Sequence, residues 1–333
     1  MTVGHSLVMC MAVLAVMLIL RSSAAGSPRC PCNNTPNYAL LTNFFISTTG
    51  WINSSGWGDT SVPICDWYGI SCLGEDIFSI NLQHNTIAGT LLPSWGNMRR
   101  IRQLNLNRNS ISGTLPPSWG SMGELQELYL FSNYITGTFP PSWANMAQLQ
   151  QLFLDSNSLT GTLPPSWGTM AQLQLLTADS NSLTGTLPPS WGNMAQLRVL
   201  DLGNNYLTGP LPAQWGNMVR LQQLDLDSNN LTGSLPPSWG SMEQLQVLDL
   251  YNNSITGPLP PSWGGMEQLQ RMYLSSNSLT GPLPPSWANL THLYYCSLCT
   301  PGDRNRFYSP IPSSWNDTAL WTAASHCVLV PPP

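Results

Sequence analysis

Residues 149–172 read LQQLFLDSNSLTGTLPPSWGTMAQ, and variants of this 24-residue phrase follow one another without slippage through most of the 333-residue chain. Each copy carries an asparagine at the same offset: Asn85, Asn109, Asn133, Asn157, Asn181, Asn205, Asn229, Asn253 and Asn277. A strict period of this kind predicts one elongated stack in which each unit contacts only its neighbours, in place of several globular domains.

The leucines around each asparagine follow L-x-x-L-x-L-x-x-N-x-L-x-G, as in Leu149, Leu152, Leu154, Asn157 and Gly161. This spacing resembles the leucine-rich repeat pattern, whose units span about 20 to 29 residues. The resemblance implies an α/β repeat solenoid: a right-handed curved stack of about ten coils, with a parallel sheet on its concave side, an irregular or 3-10 convex side and a cap at each end.

Each Leu-x-Leu segment predicts a short strand, and the strands pair in parallel because all coils run in one direction. We expect the amide of each repeated asparagine to satisfy backbone groups where the chain turns inward. The glycine four residues later suits a backbone turn. The paired prolines that follow exclude a regular ladder and favour an extended stretch.

A tryptophan follows these prolines in each coil, with methionine or, once, leucine three residues later. The tryptophans are Trp95, Trp119, Trp143, Trp167, Trp191, Trp215, Trp239, Trp263 and Trp287. One interpretation is a sugar-binding stripe. We favour a buried column with rings stacked from coil to coil, because an indole buries about 150 to 250 Å² and methionine sulfur packs well against aromatic edges.

The period divides the chain into an expected signal peptide at 1–25, an N-terminal cap at 26–76, nine repeats at 77–292, and a degenerate tenth repeat with a C-terminal cap at 293–333. The apolar run at 7–20 is short for a membrane span and precedes small residues that suit cleavage after Ala25. We expect no membrane span after signal removal, and a location that is secreted or on the extracellular face of the cell surface.

The segment 65–72, CDWYGISC, resembles the N-terminal cap of plant-type extracellular leucine-rich repeats through its C-x-W-x-G-[VI]-x-C motif. Beyond the signal peptide the cysteines form two groups at opposite ends of the stack, too far apart to pair with each other. The first expected pair is Cys65 with Cys72. The pairing of Cys30 and Cys32 stays open between a bond to each other and an intermolecular link.

At the other end we expect Cys299 to pair with Cys327, which leaves Cys296 as a buried thiol in a leucine position. A zinc site at Cys296-x-x-Cys299 is the alternative, and it lacks a second pair of ligands within reach. Six sequons are expected to include several glycosylated asparagines in a secretory chain: Asn33, Asn53, Asn230, Asn252, Asn289 and Asn316.

Composition narrows the function. Only 8% of residues are charged and the net charge is -5, which argues against nucleic acid as a partner. No Ser-His-Asp arrangement, phosphate-binding loop or metal-ligand spacing is present, so we expect no catalysis, cofactor or metal. A β-helix enzyme acting on polysaccharides is the catalytic alternative, and the N-x-L-x-G pattern speaks against it.

The outward strand positions form the surface where binding is expected, and we call it the concave face. Its early coils present Asn81, Gln83, Asn105 and Asn107. The later positions are Tyr129, Phe131, Phe153, Asp155, Asp179, Asp201, Asp225, Asp227, Asp249, Tyr251 and Tyr273. The aspartates could serve solubility alone, whereas clustered aromatics are typical of interface centres. We therefore expect an extracellular protein or glycan partner, with basic groups or sugars that meet this face.

The phrase LTGTLPPSWGNM resembles the leucine-rich repeat surface antigens of kinetoplastids (promastigote surface antigen-like), over roughly residues 77–292. That resemblance implies a cell-surface or shed glycoprotein of non-catalytic binding function. A plant-type receptor ectodomain or an extracellular enzyme inhibitor is the alternative. The chain departs from the antigens in lacking a Ser/Thr-rich stalk and an anchoring tail, which puts membrane attachment in doubt. The oligomeric state stays open.

Overall fold

The computed structural model describes residues 36–74, 76–300, 303–327 and 329–332. The expected signal peptide, Cys30, Cys32 and the sequon at Asn33 lie outside the described residues. The described chain forms one repeat solenoid of the predicted class, with parallel sheet on one side and 3-10 turns on the other.

The main sheet has 11 strands, of which ten are the predicted parallel ones. Its strands are β1 (Ile70–Leu73), β2 (Asp76–Asn81), β4 (Gln103–Asn105), β6 (Glu127–Tyr129), β8 (Gln151–Phe153), β10 (Leu175–Thr177), β12 (Val199–Asp201), β14 (Gln223–Asp225), β16 (Val247–Asp249), β18 (Arg271–Tyr273) and β20 (Tyr295–Ser297). β1 belongs to the N-terminal cap and pairs antiparallel with β2. The cap therefore covers the first open edge of the sheet.

A second set of parallel strands lies just after the repeated asparagines, where the glycine suggested only a turn. These strands are β3 (Ala88–Thr90), β5 (Ser110–Ser112), β7 (Thr136–Gly137), β9 (Ser158–Thr162), β11 (Ser182–Thr186), β13 (Tyr206–Pro210), β15 (Asn230–Thr232), β17 (Thr256–Gly257), β19 (Ser278–Pro282) and β21 (Arg306–Tyr308). The glycine permits close packing within them. At Gly137, with φ 76°, a Cβ would lie 2.8 Å from Thr114 Cγ2 of the preceding coil.

The LPPSW segments form 3-10 turns, as predicted for the convex side. The turns lie at Pro93–Asn97, Pro117–Ser121, Pro141–Asn145, Pro165–Thr169, Pro189–Asn193, Ala213–Asn217, Pro237–Ser241, Pro261–Gly265 and Pro285–Asn289, with further turns at Ile64–Asp66 and Ser313–Trp315. The caps contribute helices α1 (Pro36–Ser47) and α2 (Ala319–Ser325). Proline suits the start of each turn because its fixed φ is helical and its missing N–H is not needed there.

The tryptophans form the predicted column, and the sugar-binding interpretation is wrong because every indole from Trp95 to Trp315 is fully buried. Successive rings are nearly parallel, at 4–12°, with centroids 6.1–6.5 Å apart. Each indole N–H in the middle of the stack donates to a proline carbonyl of the preceding coil, as Trp191 does to Pro164 at 2.9 Å. Phe44 of α1 closes one end of the column, 4.5 Å from Trp95.

The repeated asparagines join neighbouring coils through both ends of the amide. Asn181 accepts a hydrogen bond from Leu159 N at 3.0 Å and donates to Leu154 O at 3.0 Å and Ala178 O at 3.2 Å. Asn305 serves the tenth coil in the same way, accepting from Leu279 N at 2.7 Å. Each amide thus satisfies buried backbone groups of two coils at once.

Two disulfides tie down the caps. Cys65 bonds to Cys72, and Cys299 bonds to Cys327. Within the described residues Cys296 is the free cysteine, and burial raises the pKa of its thiol. The second disulfide holds α2 against the end of the main sheet, since Cys299 follows β20 and Cys327 follows α2.

We predict that Trp191→Ala lowers the free energy of unfolding by about 3–5 kcal/mol, because it leaves a cavity inside the stacked column. Trp191→Phe, which keeps a ring but leaves the Pro164 carbonyl without its donor, should cost about 1–3 kcal/mol. Urea unfolding followed by far-UV circular dichroism measures both effects. Tyr206→Ala, at a side chain that is 59% exposed, is the control, and an equal loss there would contradict the assignment.

Candidate functional site

Side chains of the concave face lie in rows with one residue per coil, and two of these rows contain the predicted positions. The first row consists of the last residue of each strand in the main sheet, and the strand register places these residues side by side. They are Asn105, Tyr129, Phe153, Thr177, Asp201, Asp225, Asp249, Tyr273 and Ser297. The second row lies two residues further on in each coil, at Asn107, Phe131, Asp155, Asp179, Gly203, Asp227, Tyr251, Ser275 and Cys299. Neighbours within a row are about 4.8 Å apart at the backbone.

The aspartate strip, defined as Asp155, Asp179, Asp201, Asp225, Asp227 and Asp249, occupies the middle of these rows. All six side chains are half-buried, which differs from freely exposed residues that serve solubility alone. Asp201, Asp225 and Asp249 each accept a hydrogen bond from the backbone N–H two residues on, at 3.1, 3.1 and 2.9 Å. These bonds fix the carboxylates along the face.

Burial raises the pKa of these first-row aspartates, to about 7 for Asp201 and about 6 for Asp249 from the usual 3.8. The pKa of Asp225 between them is raised by burial and by the charge of Asp201. The pKa of Asp155 is also raised by its burial. The ion pairs found within the described residues, Arg100–Asp76 and Arg102–Glu124, involve none of the strip. The strip therefore has no basic partner among the described residues, and it carries its full negative charge only above the raised pKa values of its first-row aspartates.

Gly203 opens a gap in the second row beside the strip. A Cβ at this position would lie 2.2 Å from Asp227 Oδ1, so the carboxylate of the next coil leans over the glycine. The sequence shows the glycine, but the aspartate's position is visible only in the structure. It brings Asp227 towards Asp201 and Asp225, and its charge contributes to the raised pKa of both.

The predicted aromatic cluster of Tyr129, Phe131 and Phe153 assembles at one end of the strip, half-buried. Tyr129 and Phe153 stack with centroids 5.1 Å apart, and Phe131 meets Phe153 edge-on at 6.3 Å. The Tyr129 hydroxyl donates to Glu127 at 3.0 Å, and burial raises the pKa of Tyr129 to about 12. Arg108 lies over the Phe131 ring, 5.9 Å from its centroid. Sequence reasoning gave Arg108 no role on this face.

Tyrosines flank the other end of the strip. Tyr251 is exposed, and Tyr273 contacts Tyr295 with ring centroids 4.9 Å apart. Tyr295 was not predicted as part of this face, because it takes the first outward position of its strand, in register with Arg271, and the prediction followed only the later outward positions. Beside it a cleft of about 510 Å³ separates β20 from α2, lined by Tyr294, Tyr295, Cys296, Ser297, Cys299, Thr300, Ala319, Thr322, Ala323 and His326.

The early polar positions differ from expectation. Asn105 and Asn107 are buried, and Asn105 donates to Gln83 at 3.2 Å while its own carbonyl accepts from Asn107 N at 3.2 Å. Their hydrogen-bonding groups serve the fold, so this end of the face offers less for a partner. Asn81 is half-buried and Gln83 is exposed.

Of the sequons within the described residues, Asn230, Asn252, Asn289 and Asn316 are exposed and Asn53 is half-buried. Asn53 accepts hydrogen bonds from the backbone and hydroxyl of Ser55, at 3.1 and 2.8 Å. Asn230 and Asn252 line one polar groove of about 580 Å³ beside the repeated asparagines. A glycan at either would occupy this groove.

Within the part of the chain that the structure describes, no group of three or more His, Cys, Asp or Glu side chains is arranged to hold a metal ion. In the same residues no helix has the length and apolar character needed to cross a membrane.

The leucine rich repeat family model matches residues 99–159, 171–231 and 220–279, which together make up about half of the chain. No curated protein matches this chain.

Solved structures with the same fold include plant receptor ectodomains. The LRR ectodomain of the membrane receptor kinase GASSHO1/SCHENGEN3 from Arabidopsis thaliana, in complex with CASPARIAN STRIP INTEGRITY FACTOR 2, is 30% identical over 81% of this chain and 33% of its own, with a TM-score of 0.73. The Arabidopsis receptor kinase HAESA, in complex with the peptide hormone IDA and the co-receptor SERK1, is 30% identical over 82% of this chain and 46% of its own, with a TM-score of 0.74. The PEPR1–AtPEP1 structure is 28% identical, covering 88% and 44%, with a TM-score of 0.74. The chain thus spans less than half the length of these structures.

The raised pKa values predict a pH-dependent stability. A carboxyl whose pKa is higher in the folded state than in the unfolded one holds its proton more tightly when folded, so its contribution to stability is greatest at low pH. It is lost as pH rises from about 4 towards about 8, through the raised pKa values of Asp249, Asp201 and Asp225. We expect Asp225→Asn to raise Tm at pH 8.5 and to reduce the Tm difference between pH 5.5 and 8.5, measured by scanning calorimetry. Glu243→Gln, at an exposed position away from the strip, is the control. An unchanged pH profile in the Asp225 variant would contradict the charge assignment.

Proposed function

The chain belongs to the leucine rich repeat family, and we propose that it is a non-catalytic recognition module that binds a basic peptide segment of an extracellular partner through its concave face. The aspartate strip carries this proposal. Its carboxylates are fixed by backbone hydrogen bonds and receive no arginine within the described residues. A lysine or arginine from outside would supply the missing charge.

The aromatic cluster supports the same face as the binding site. Tyr129 and Phe153 present a stacked pair beside Asp155, so apolar contact and charge meet on adjacent coils. Aromatic side chains that are already half-buried lose little further conformational entropy when a partner binds. The cost of ordering them is therefore small, and such side chains are common at interface centres. The structural relatives named above support a peptide as the partner, since the HAESA structure contains the peptide hormone IDA.

We place the protein outside the cell, secreted or on the cell surface, on the strength of its two disulfides and its extracellular structural relatives. The resemblance to kinetoplastid surface antigens and the plant-type receptor or inhibitor alternative both predict this location. Glycosylation at the sequons would accompany it.

The test is selection of random linear peptides displayed against the immobilised protein at pH 8. We expect enrichment of lysine and arginine, and an enriched peptide should bind about tenfold more weakly to the Asp225→Asn/Asp227→Asn variant, since partly desolvated charge pairs exceed the energy of exposed ones. Isothermal calorimetry measures the change. Phe153→Ser should weaken binding as well, whereas Glu243→Gln should leave it unchanged.

Enrichment of neutral or acidic peptides, or full binding by the double variant, would contradict the proposal. Binding to a glycan array that depends on Phe153 and not on Asp225 would instead establish the glycan alternative.

A further inference from the structure

The cleft between β20 and α2 continues the concave face at its C-terminal end. Its lining is mainly apolar, with Tyr295, Ala319 and Ala323 among the wall residues and half-buried Cys296 beside them. Thr322 and His326 are exposed at its opening. A volume of about 510 Å³ lies in the range of ligand pockets, about 300 to 1,000 Å³.

We propose that this cleft is an anchor pocket for one apolar side chain of the peptide whose basic residues lie on the aspartate strip. The inference rests on the proposed function and adds a sequence rule to it. The cleft is continuous with the strip through Tyr273, which ends β18 and contacts Tyr295 of β20.

The distance between the aspartate strip and the cleft determines how far apart the basic and apolar residues of the peptide must be. Asp249 ends β16, and Tyr295 lies in β20, two strands further along the sheet. At about 4.8 Å per strand this separation is about 10 Å, and an extended peptide covers it with about three residues at roughly 3.3 Å each. The anchored apolar residue therefore lies about three positions from the nearest basic residue.

Charge explains why the anchored residue is apolar. The aspartate strip ends at Asp249, and Arg271 of β18 lies in register beside Tyr295 with an exposed side chain. A basic side chain that entered the cleft would approach this guanidinium, whereas an aromatic or aliphatic one would contact Tyr295, Ala319 and Ala323. Burial of such a side chain is favourable without any charge partner.

The walls of the cleft are held in place before binding. The disulfide between Cys299 and Cys327 joins the loop after β20 to the end of α2. Leu320, Ala323 and Ala324 of α2 are buried against the stack. A pocket between elements fixed in this way costs little ordering when an anchor enters.

The experiment uses synthetic peptides of alternating lysine and serine with one phenylalanine at the C-terminal end, and a matching set in which the order of residues is reversed. The phenylalanine is placed about three residues after the last lysine, directly beside that lysine, or about seven residues beyond it. A fourth peptide carries serine in its place. We expect the first peptide to bind about tenfold more tightly than the serine peptide, and the other two to gain little. Isothermal calorimetry at pH 8 measures the affinities.

Thr322→Trp fills the opening of the cleft and should abolish the advantage of the phenylalanine while keeping the lysine-dependent binding. Ser325→Trp, an exposed position on the same helix that does not line the cleft, is the matched control. His326→Trp is a second blocking variant in case the first fails to fold, which far-UV circular dichroism monitors.

Each negative outcome of these experiments contradicts a different claim. If phenylalanine position has no effect but Asp225→Asn/Asp227→Asn still weakens lysine-dependent binding, the anchor pocket is overturned and the proposed function stands. If neither phenylalanine nor the aspartates matter, both are overturned. If Thr322→Trp converts a dimer of the free protein to a monomer in analytical ultracentrifugation, the cleft covers a second copy of the chain and the peptide assignment falls.

Discussion

Contact between equivalent side chains of successive coils is the interaction on which this structure depends. On the convex side each tryptophan stacks on the next, with rings within 12° of parallel, and each central indole also binds a proline carbonyl of the coil before it. After each strand, where the chain turns inward, the repeated asparagine binds two coils through one amide. A unit too small to bury its own apolar face is thereby stable only within the array. The strict 24-residue period follows from this requirement, because equivalent side chains must lie at equal offsets in successive coils.

Features that repeat could be predicted because equal offsets in the sequence become neighbours in the stack. Trp191 and Asn181 are of this kind, and the same argument applies to the ten parallel strands. It applies equally to the segments around Gly137, and the second set of parallel strands was missed because a glycine suggests a turn when a single coil is considered alone. Within a stack, an extended segment at a constant offset has a pairing partner in the next coil, and glycine then permits the close approach.

Features that do not repeat were beyond reach of the sequence. Alternation placed Asp201 and Asp225 on the outer face, but their half-burial and raised pKa depend on the neighbours that curvature and register bring close, and on the gap at Gly203. Asn105 and Asn107 follow the same alternation and are buried by hydrogen bonds between coils. The cleft depends on the position of α2, which a disulfide fixes and which no repeated offset predicts.

The distance between successive tryptophans has a geometric consequence. Equivalent rings are 6.1–6.5 Å apart, whereas strands of a sheet are separated by about 4.8 Å, so every coil is a wedge that is thicker at its indole than at its strand. Stacked wedges bend into an arc with the strands on the inside. The greater spacing on the outer side thus determines the radius of the arc, and the carboxylates on its inner surface are crowded together as a result.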